Sequence, residues 1–487
     1  MENNKIIKNY FYNMIYQLLV LILPIITIPY TSRVLGAENI GVYSYTLSIV
    51  TYFVLLGNLG MTTYGRREIA YNNEDVYERT KTFFEINILR LLLLSFMAIT
   101  YIVSFCFTNQ YIVYFKLLIF ELIGSFFDIS WFYQGLELFK KTSIRNCLVK
   151  ILSVLLIFLF VKSKNDLWIY ILIYCLSNLL GNITLWLGIK KYLTKINAKE
   201  LNYKKVILAS IGLFIPQLAV QIYTMVDKTM LGSILSDKSI TGYYDQEEKI
   251  VKIFITIITS LGIVLQPSMA KNRNNSKKID KYVDISFKYV LFISLPMIFG
   301  IISVSDSFIP IFLGEGYNQV IYIIYTLSPI MIFIGLSGIT GPAYLIPLKK
   351  TGVYTKSVLI GACTNVILNM LLISKFKAIG AAIATVLSEF IVLIIQLYEV
   401  NKDVDVFKIL YDCKKYFLSS VIMCTTINLI RLFKIDGTTL LLCQVIMGIL
   451  IYLICLFYFK DEFIKKIFKI ISTFREKVKN EKNWIKQ

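Results

Sequence analysis

The sequence predicts an all-α integral membrane protein of about fourteen transmembrane helices, built as two pseudo-symmetric six-helix bundles plus two C-terminal helices. Three observations predict it. The 487 residues are 56% hydrophobic and only 17% charged, with a mean hydropathy of +0.66, whereas a soluble chain of that length would need several domains with charged surfaces. The charges fall in short clusters between apolar runs, and a ~30 Å hydrocarbon core needs about 20 such residues per helix. Finally, one glycine pattern occurs twice.

In chain order the apolar stretches are 10–31, 40–63, 82–107, 111–133, 147–161 and 167–189. After a basic linker come 206–226, 250–266, 285–304, 320–340, 357–373 and 378–398, and the stretches 416–430 and 438–459 close the set. The expected blocks are therefore 1–200, 201–400 and 401–487. The first stretch is too long for a signal-peptide core and lacks a small-x-small cleavage site, so it is expected to stay in the protein.

Lys and Arg total 51 against 31 Asp and Glu, a formal charge of +20. With the N-terminus inside, these cations concentrate in alternate loops, which places both termini in the cytoplasm by the positive-inside rule. The excess is then a topology signal and not a nucleic-acid signature. The basic tail 460–487 reads equally as an amphipathic helix on the membrane or as a solvated end. No His is present, which excludes imidazole relays, His metal sites and Ser-His-Asp catalysis. The eight Cys stand singly without a C-x-x-C and read as small apolar residues. No G-x-x-x-x-G-K-[ST] loop occurs, so direct ATP hydrolysis is not expected.

The repeated pattern runs Leu35-Gly36, Ile40-Gly41-Val42-Tyr43 and Leu59-Gly60 in one copy. In the other it runs Leu231-Gly232, Ile240-Thr241-Gly242-Tyr243-Tyr244 and Leu261-Gly262. An even number of spans separates the copies, so both enter the membrane with the same polarity, as in transporters whose two bundles rock about a central cavity. Pro24 and Pro29 in the first stretch and Pro216 in the seventh are candidate hinge or gating positions, because proline frees a backbone carbonyl and kinks a helix.

An ionised group at mid-membrane costs ~2.5–3.5 kcal/mol on insertion scales, so each one needs a partner or water. Arg90 and Asp128 lie at similar depth on neighbouring spans and suit either a structural ion pair or a substrate contact. Arg33 and Lys228 hold matching places just before each Leu-Gly. They suit a diphosphate in a low-dielectric cavity, or else snorkel to the interface. Asp227, Lys249 and Glu389 complete the set. Asp128, Trp131 and Gln134 recur every three residues on one helical face, beside which the alternative is an interfacial aromatic belt.

The segments Tyr30-Thr-Ser-Arg33-Val-Leu-Gly36, Asp128–Glu137 and Tyr223-Thr-Met-Val-Asp227-Lys228-Thr-Met-Leu-Gly232, followed by Gly242-Tyr-Tyr-Asp-Gln-Glu-Glu-Lys249, resemble the bacterial polysaccharide-repeat-unit flippases. These belong to the multidrug/oligosaccharidyl-lipid/polysaccharide exporter superfamily, and the resemblance covers essentially the whole chain. It implies alternating-access transfer of an undecaprenyl-diphosphate-linked oligosaccharide across the bacterial cytoplasmic membrane, for capsule, O-antigen or exopolysaccharide assembly. Arg33, Asp227, Lys228 and Lys249 match the family's charged positions. The expected diphosphate-binding cations are Arg33, Arg90, Lys228 and Lys249. Na⁺ or H⁺ coupling is open through Asp128, Asp227 or Glu389, and no other cofactor is expected. Expected partners are membrane lipids and a polysaccharide polymerase with other assembly proteins, and no nucleic acid. Within the superfamily a lipid II flippase or a cation-coupled drug exporter shares the architecture. A membrane glycan polymerase, an enzyme, would want a larger outer loop than this chain offers.

Overall fold

The computed structural model describes residues 2–431, 437–461 and 463–465, and the side chains of these except 2–15, 216, 217, 219, 222, 223, 263 and 264. Most of the basic tail, and the side chain of Pro216, fall outside the described residues.

Helices account for the described elements, with no strand among them. In order they are α1 (Glu2–Asn58), α2 (Met61–Tyr71), α3 (Val76–Phe105), α4 (Ile112–Phe127), α5 (Ser130–Gly135) and α6 (Phe139–Phe160). Next come α7 (Leu167–Thr184), α8 (Tyr203–Ile234), α9 (Ser239–Lys271), α10 (Ser276–Phe312), α11 (Asn318–Leu327) and α12 (Ile330–Gly338). The last are α13 (Thr351–Val400), α14 (Val406–Asp412), α15 (Lys414–Ile430) and α16 (Gly437–Tyr458). Local chemistry sets several starts. The Asp75 carboxylate accepts from the backbone N–H of Tyr77 and Glu78 to cap α3, and the Asn202 amide oxygen accepts from Lys205 to cap α8, satisfying donors that a helix N-terminus leaves open.

Among the described residues, eight helices are long and apolar enough to cross a membrane, or nine if the bent pair of α11 with 330–345 is one span. The chain is thus a multi-pass integral membrane protein. The expected fourteen stretches lie largely on helical backbone, yet length and apolarity certify fewer crossings for a physical reason. α4 and α15, at 16 and 17 residues, fall short of the usual span. α1 and α13 each run on through a single non-helical residue, Gly36 (φ 77) and Lys377 (φ 53). At 57 residues, α1 far exceeds one membrane thickness, since ~20 residues suffice. Its break comes at Gly36, where a missing Cβ permits positive φ, while the backbone stays helical through Pro24 and Pro29.

Compactness divides the chain into one unit of 1–249, 313–323 and 358–385, and another of 250–312, 324–357 and 386–487. These are not the contiguous blocks read from the sequence, because α9, α11 and α13 each pass from one unit into the other. The first unit has an aromatic core. Tyr43, Tyr101 and Phe115 pack with Val50 and Cys175 in one cluster, and Phe83, Trp131 and Phe132 with Tyr64 in another. In the second unit α10, α12, α15 and α16 pack together. There Arg431 closes α15 onto α10 through Asp306 at 2.6 Å.

Candidate functional site

Two polar sites lie in the first unit. The first is a cavity of about 410 Å³ among α1, α3, α4, α7 and α8, bordered by Thr51, Asn58, Arg90, Glu121, Asn178 and Asn182. Most of these side chains hydrogen-bond, in a unit otherwise built from apolar helices. Asn178 donates to Glu121 at 3.4 Å, and Asn182 to the Gly124 carbonyl at 2.9 Å.

Arg90 braces this cavity. It is fully buried and donates to Asn58 Oδ1 at 2.9 Å, to the Asp128 carbonyl at 2.8 Å and to the Ser125 carbonyl at 2.5 Å. The expected Arg90–Asp128 contact therefore exists, but through the backbone oxygen. The Asp128 carboxylate is engaged elsewhere, accepting from the Ser130 N–H at 2.8 Å. A guanidinium fork matches divergent carbonyls left open at the end of α4, which a lysine could not span.

The Asp128–Trp131–Gln134 face does not form. The helix breaks at Asp128, whose backbone is extended, and restarts as α5 at Ser130. Trp131 is buried, stacked on Phe83 with ring centroids 5.9 Å apart, so it is a core residue rather than part of a belt. Gln134 is half-buried on α5.

The second site joins α8 to α9 and α13. Asp227 and Lys228 are sequence neighbours on α8, about 100° apart around the axis, and they meet different chemistry. Asp227 is buried and accepts from four donors: Tyr244 Oη at 2.5 Å, Thr385 Oγ1 at 2.6 Å, Asn369 Nδ2 at 2.6 Å and Asn365 Nδ2 at 3.1 Å. Lys228 forms ion pairs with Asp245 at 2.6 Å and Glu248 at 2.8 Å. Lys249 reaches the other Asp245 oxygen at 2.6 Å, and Ser44 donates to Asp245 at 3.0 Å.

The four cations expected to bind a diphosphate stand in different surroundings. Lys228 and Lys249 belong to a near-neutral cluster with Asp245 and Glu248, and Arg90 is held by carbonyls. Arg33 is exposed and lies against Gly314 of the loop before α11, whose Cβ would stand 2.9 Å from Arg33 Cγ. Buried charge in a low-dielectric interior demands such pairing. Glu389 is buried in the second unit on α13, where it acts electrostatically on Tyr354. The sequence reading missed Asn365, Asn369 and Thr385, and also Asn178 and Asn182. The signal was available: each asparagine pair has i, i+4 spacing within an apolar stretch, which puts two amides on one helical face.

Two hydroxyls and two amide nitrogens face the Asp227 carboxylate, and the Asn369 amide oxygen is buried without a hydrogen-bond partner. A carboxylate, a hydroxyl and two amides suit a hard cation only once the amides turn their oxygens towards it, since here both present Nδ2 to Asp227. No group of three His, Cys, Asp or Glu that could hold a metal ion gathers among the described residues.

A family profile described as polysaccharide biosynthesis protein matches residues 6–273. A protein of Escherichia coli (strain K12) named as an O-antigen transporter is 21% identical over 393 residues, 78% of this chain and 93% of that one. The capsular polysaccharide biosynthesis protein CapF of Staphylococcus aureus is 24% identical, over 80% of this chain and 98% of its own. Among solved structures, the lipid II flippase MurJ in an inward closed conformation superposes with a TM-score of 0.72 at 18% identity, covering 93% of this chain and 99% of that one. An inward-facing multidrug transporter of the MOP superfamily gives 0.59 at 12% identity, over 78% and 94% of the two chains. These likenesses show a shared fold, and the profile match spans more than half of the sequence: the chain belongs to the polysaccharide biosynthesis protein family.

Proposed function

We propose that the protein is a flippase that carries a polyprenyl-diphosphate-linked oligosaccharide from the inner to the outer leaflet of the bacterial cytoplasmic membrane, without covalent chemistry. The observation that carries this reading is the cavity bordered by Thr51, Asn58, Glu121, Asn178 and Asn182 within a membrane-spanning unit. Amides, a hydroxyl and a carboxylate replace the hydrogen bonds that a sugar loses on leaving water, which apolar walls cannot do. The relatives named for O-antigen transport and capsule synthesis support the same substrate class.

Two of the four expected cations suit the diphosphate. Arg33 is exposed and the Lys249 side chain, though paired with Asp245, is 34% exposed, whereas Lys228 and Arg90 are buried. Arg33 and Lys249 meet the phosphates in this reading, and Lys228 and Arg90 hold the helices that present them. The coupling group is Asp227. A bound Na⁺ would neutralise its carboxylate, with the Thr385 hydroxyl and, once their amides turn over, the Asn365 and Asn369 oxygens as the remaining ligands.

The test is reconstitution. Purified protein in vesicles should move a fluorescent undecaprenyl-diphosphate oligosaccharide to the opposite leaflet, and Asn178→Leu with Asn182→Leu should abolish this while the protein still inserts. Transfer of lipid II alone would replace the oligosaccharide by the substrate of the MurJ-like relatives, and transfer of neither would end the proposal. Asp227→Asn should remove a Na⁺-dependent rise in unfolding temperature. A rise that follows pH and ignores Na⁺ would make the coupling ion a proton.

A further inference from the structure

A second cavity, of about 770 Å³, opens in the first unit where α5 meets the start of α6. Its walls divide by chemistry. Lys140, Lys141 and Arg145 supply three cations against one carboxylate, Glu137, and Ile144 and Leu148 supply an apolar side. Lys141 Nζ donates to Tyr133 Oη at 2.8 Å and to the Leu187 carbonyl at 3.1 Å, which uses two of its three protons. Arg145 makes no hydrogen bond and no ion pair among the described residues, and its Nε is buried without a partner. The Asp128 carboxylate acts on it only through the field.

This arrangement is costly as it stands. Cations in the first turn of a helix oppose its macrodipole, which favours negative charge there. α6 nonetheless begins Phe139-Lys140-Lys141, with no acidic residue in its first turn and no side-chain cap. A buried guanidinium nitrogen without an acceptor adds a further penalty. An anion beside Arg145 and the first turn of α6 relieves both. The apolar wall does not stop at the cavity: Ile144, Leu148, Ile151, Leu155 and Leu159 are all exposed along α6, a stripe of ~22 Å at 1.5 Å per residue. That is the reach of an acyl chain.

We propose that this cavity binds an anionic phospholipid, its phosphate on Lys140, Lys141 and Arg145 and one acyl chain along the exposed stripe of α6. A free phosphate shares the head-group chemistry but leaves the stripe uncovered.

Native mass spectrometry of the full-length protein, released from bilayers of mixed phosphatidylglycerol and phosphatidylcholine, tests it. The wild type should retain phosphatidylglycerol preferentially, and Lys141→Gln with Arg145→Gln should lower that preference by about tenfold. Leu148→Trp changes an exposed position without touching a charge, so it folds even where the charge variant does not, and it should displace the chain and reduce retention as well. Inorganic phosphate should not compete. Competition by phosphate, retention unchanged in both variants, or equal retention of the two lipids would each overturn the proposal.

Discussion

Gly41 and Gly242, equivalent members of the repeated glycine pattern, touch backbone to backbone. A Cβ on Gly41 would stand 1.7 Å from the Lys238 carbonyl oxygen and 2.9 Å from the Gly242 nitrogen, and one on Gly242 would stand 1.9 Å from the Ala37 oxygen. The two copies of the pattern thus meet each other, with α1 and the start of α9 as close as main chains allow. Small residues permit this approach in membranes, where van der Waals contact replaces hydrophobic collapse. Gly41→Ala and Gly242→Ala should each destabilise by roughly 1–3 kcal/mol or more, since the obstructing atoms are backbone. Gly212 on α8 has nothing within 4 Å of its Cβ position, so Gly212→Ala should gain about 0.5–1 kcal/mol. Thermal unfolding in detergent reads all three, and equal midpoints for Gly41→Ala and wild type would refute the close contact.

Apolar length and loop charge made the helical membrane fold legible, and the repeat pointed at Gly41 and Gly242 without revealing that they face one another. Partner choice was not legible. Asp227 and Lys228 read as a pair of charges, yet one is solvated by hydroxyl and amide groups and the other by carboxylates. Those partners come from residues far along the chain, and only tertiary packing decides which of several nearby polar groups each charge meets. Proline suggested where helices bend. The break in α1 came at Gly36, where a missing Cβ makes positive φ inexpensive, whereas proline fixes φ near −65°.

Asp245 is the hub of the charge cluster, with Lys228 on one oxygen and Lys249 on the other. Asp245→Asn leaves two ammonium groups facing one remaining carboxylate, Glu248. Breaking a buried pair costs roughly 3–5 kcal/mol, because the surviving charge is left uncompensated. Adding Lys249→Met should recover part of the loss, since Lys228 and Glu248 then remain as a matched pair. A double variant less stable than Asp245→Asn alone would show that Lys249 is not held by Asp245.

Arg90 acts through geometry. Arg90→Lys keeps the charge but replaces a planar fork by one ammonium, which cannot reach Asn58 and both carbonyls together. At about 1–3 kcal/mol for each buried group left unsatisfied, the variant should lose at least about 2 kcal/mol. Glycan transfer should fall with it, because Asn58 and the end of α4 border the polar cavity. Full stability with lost transfer would move Arg90 from bracing the fold to touching substrate.

Outside the spans, Asp403 in the loop after α13 ties the second unit together. Its Oδ2 accepts from Lys350 Nζ at 2.7 Å and from Tyr344 Oη at 2.8 Å. The hydrogen bond from Lys350 holds the carboxyl below its ordinary range, against a smaller opposing effect of burial. A depressed folded-state pKa gives stability that is fully present above the unfolded value, near pH 3.9, and that is lost as pH falls through the folded value. The Asp403 side chain is 45% exposed, so the contribution should stay below about 1 kcal/mol. Asp403→Asn should therefore lower the unfolding midpoint slightly at neutral pH and flatten its decline below about pH 4. Parallel midpoint-against-pH curves for variant and wild type would show that Lys350 and Tyr344 do not depress this carboxyl.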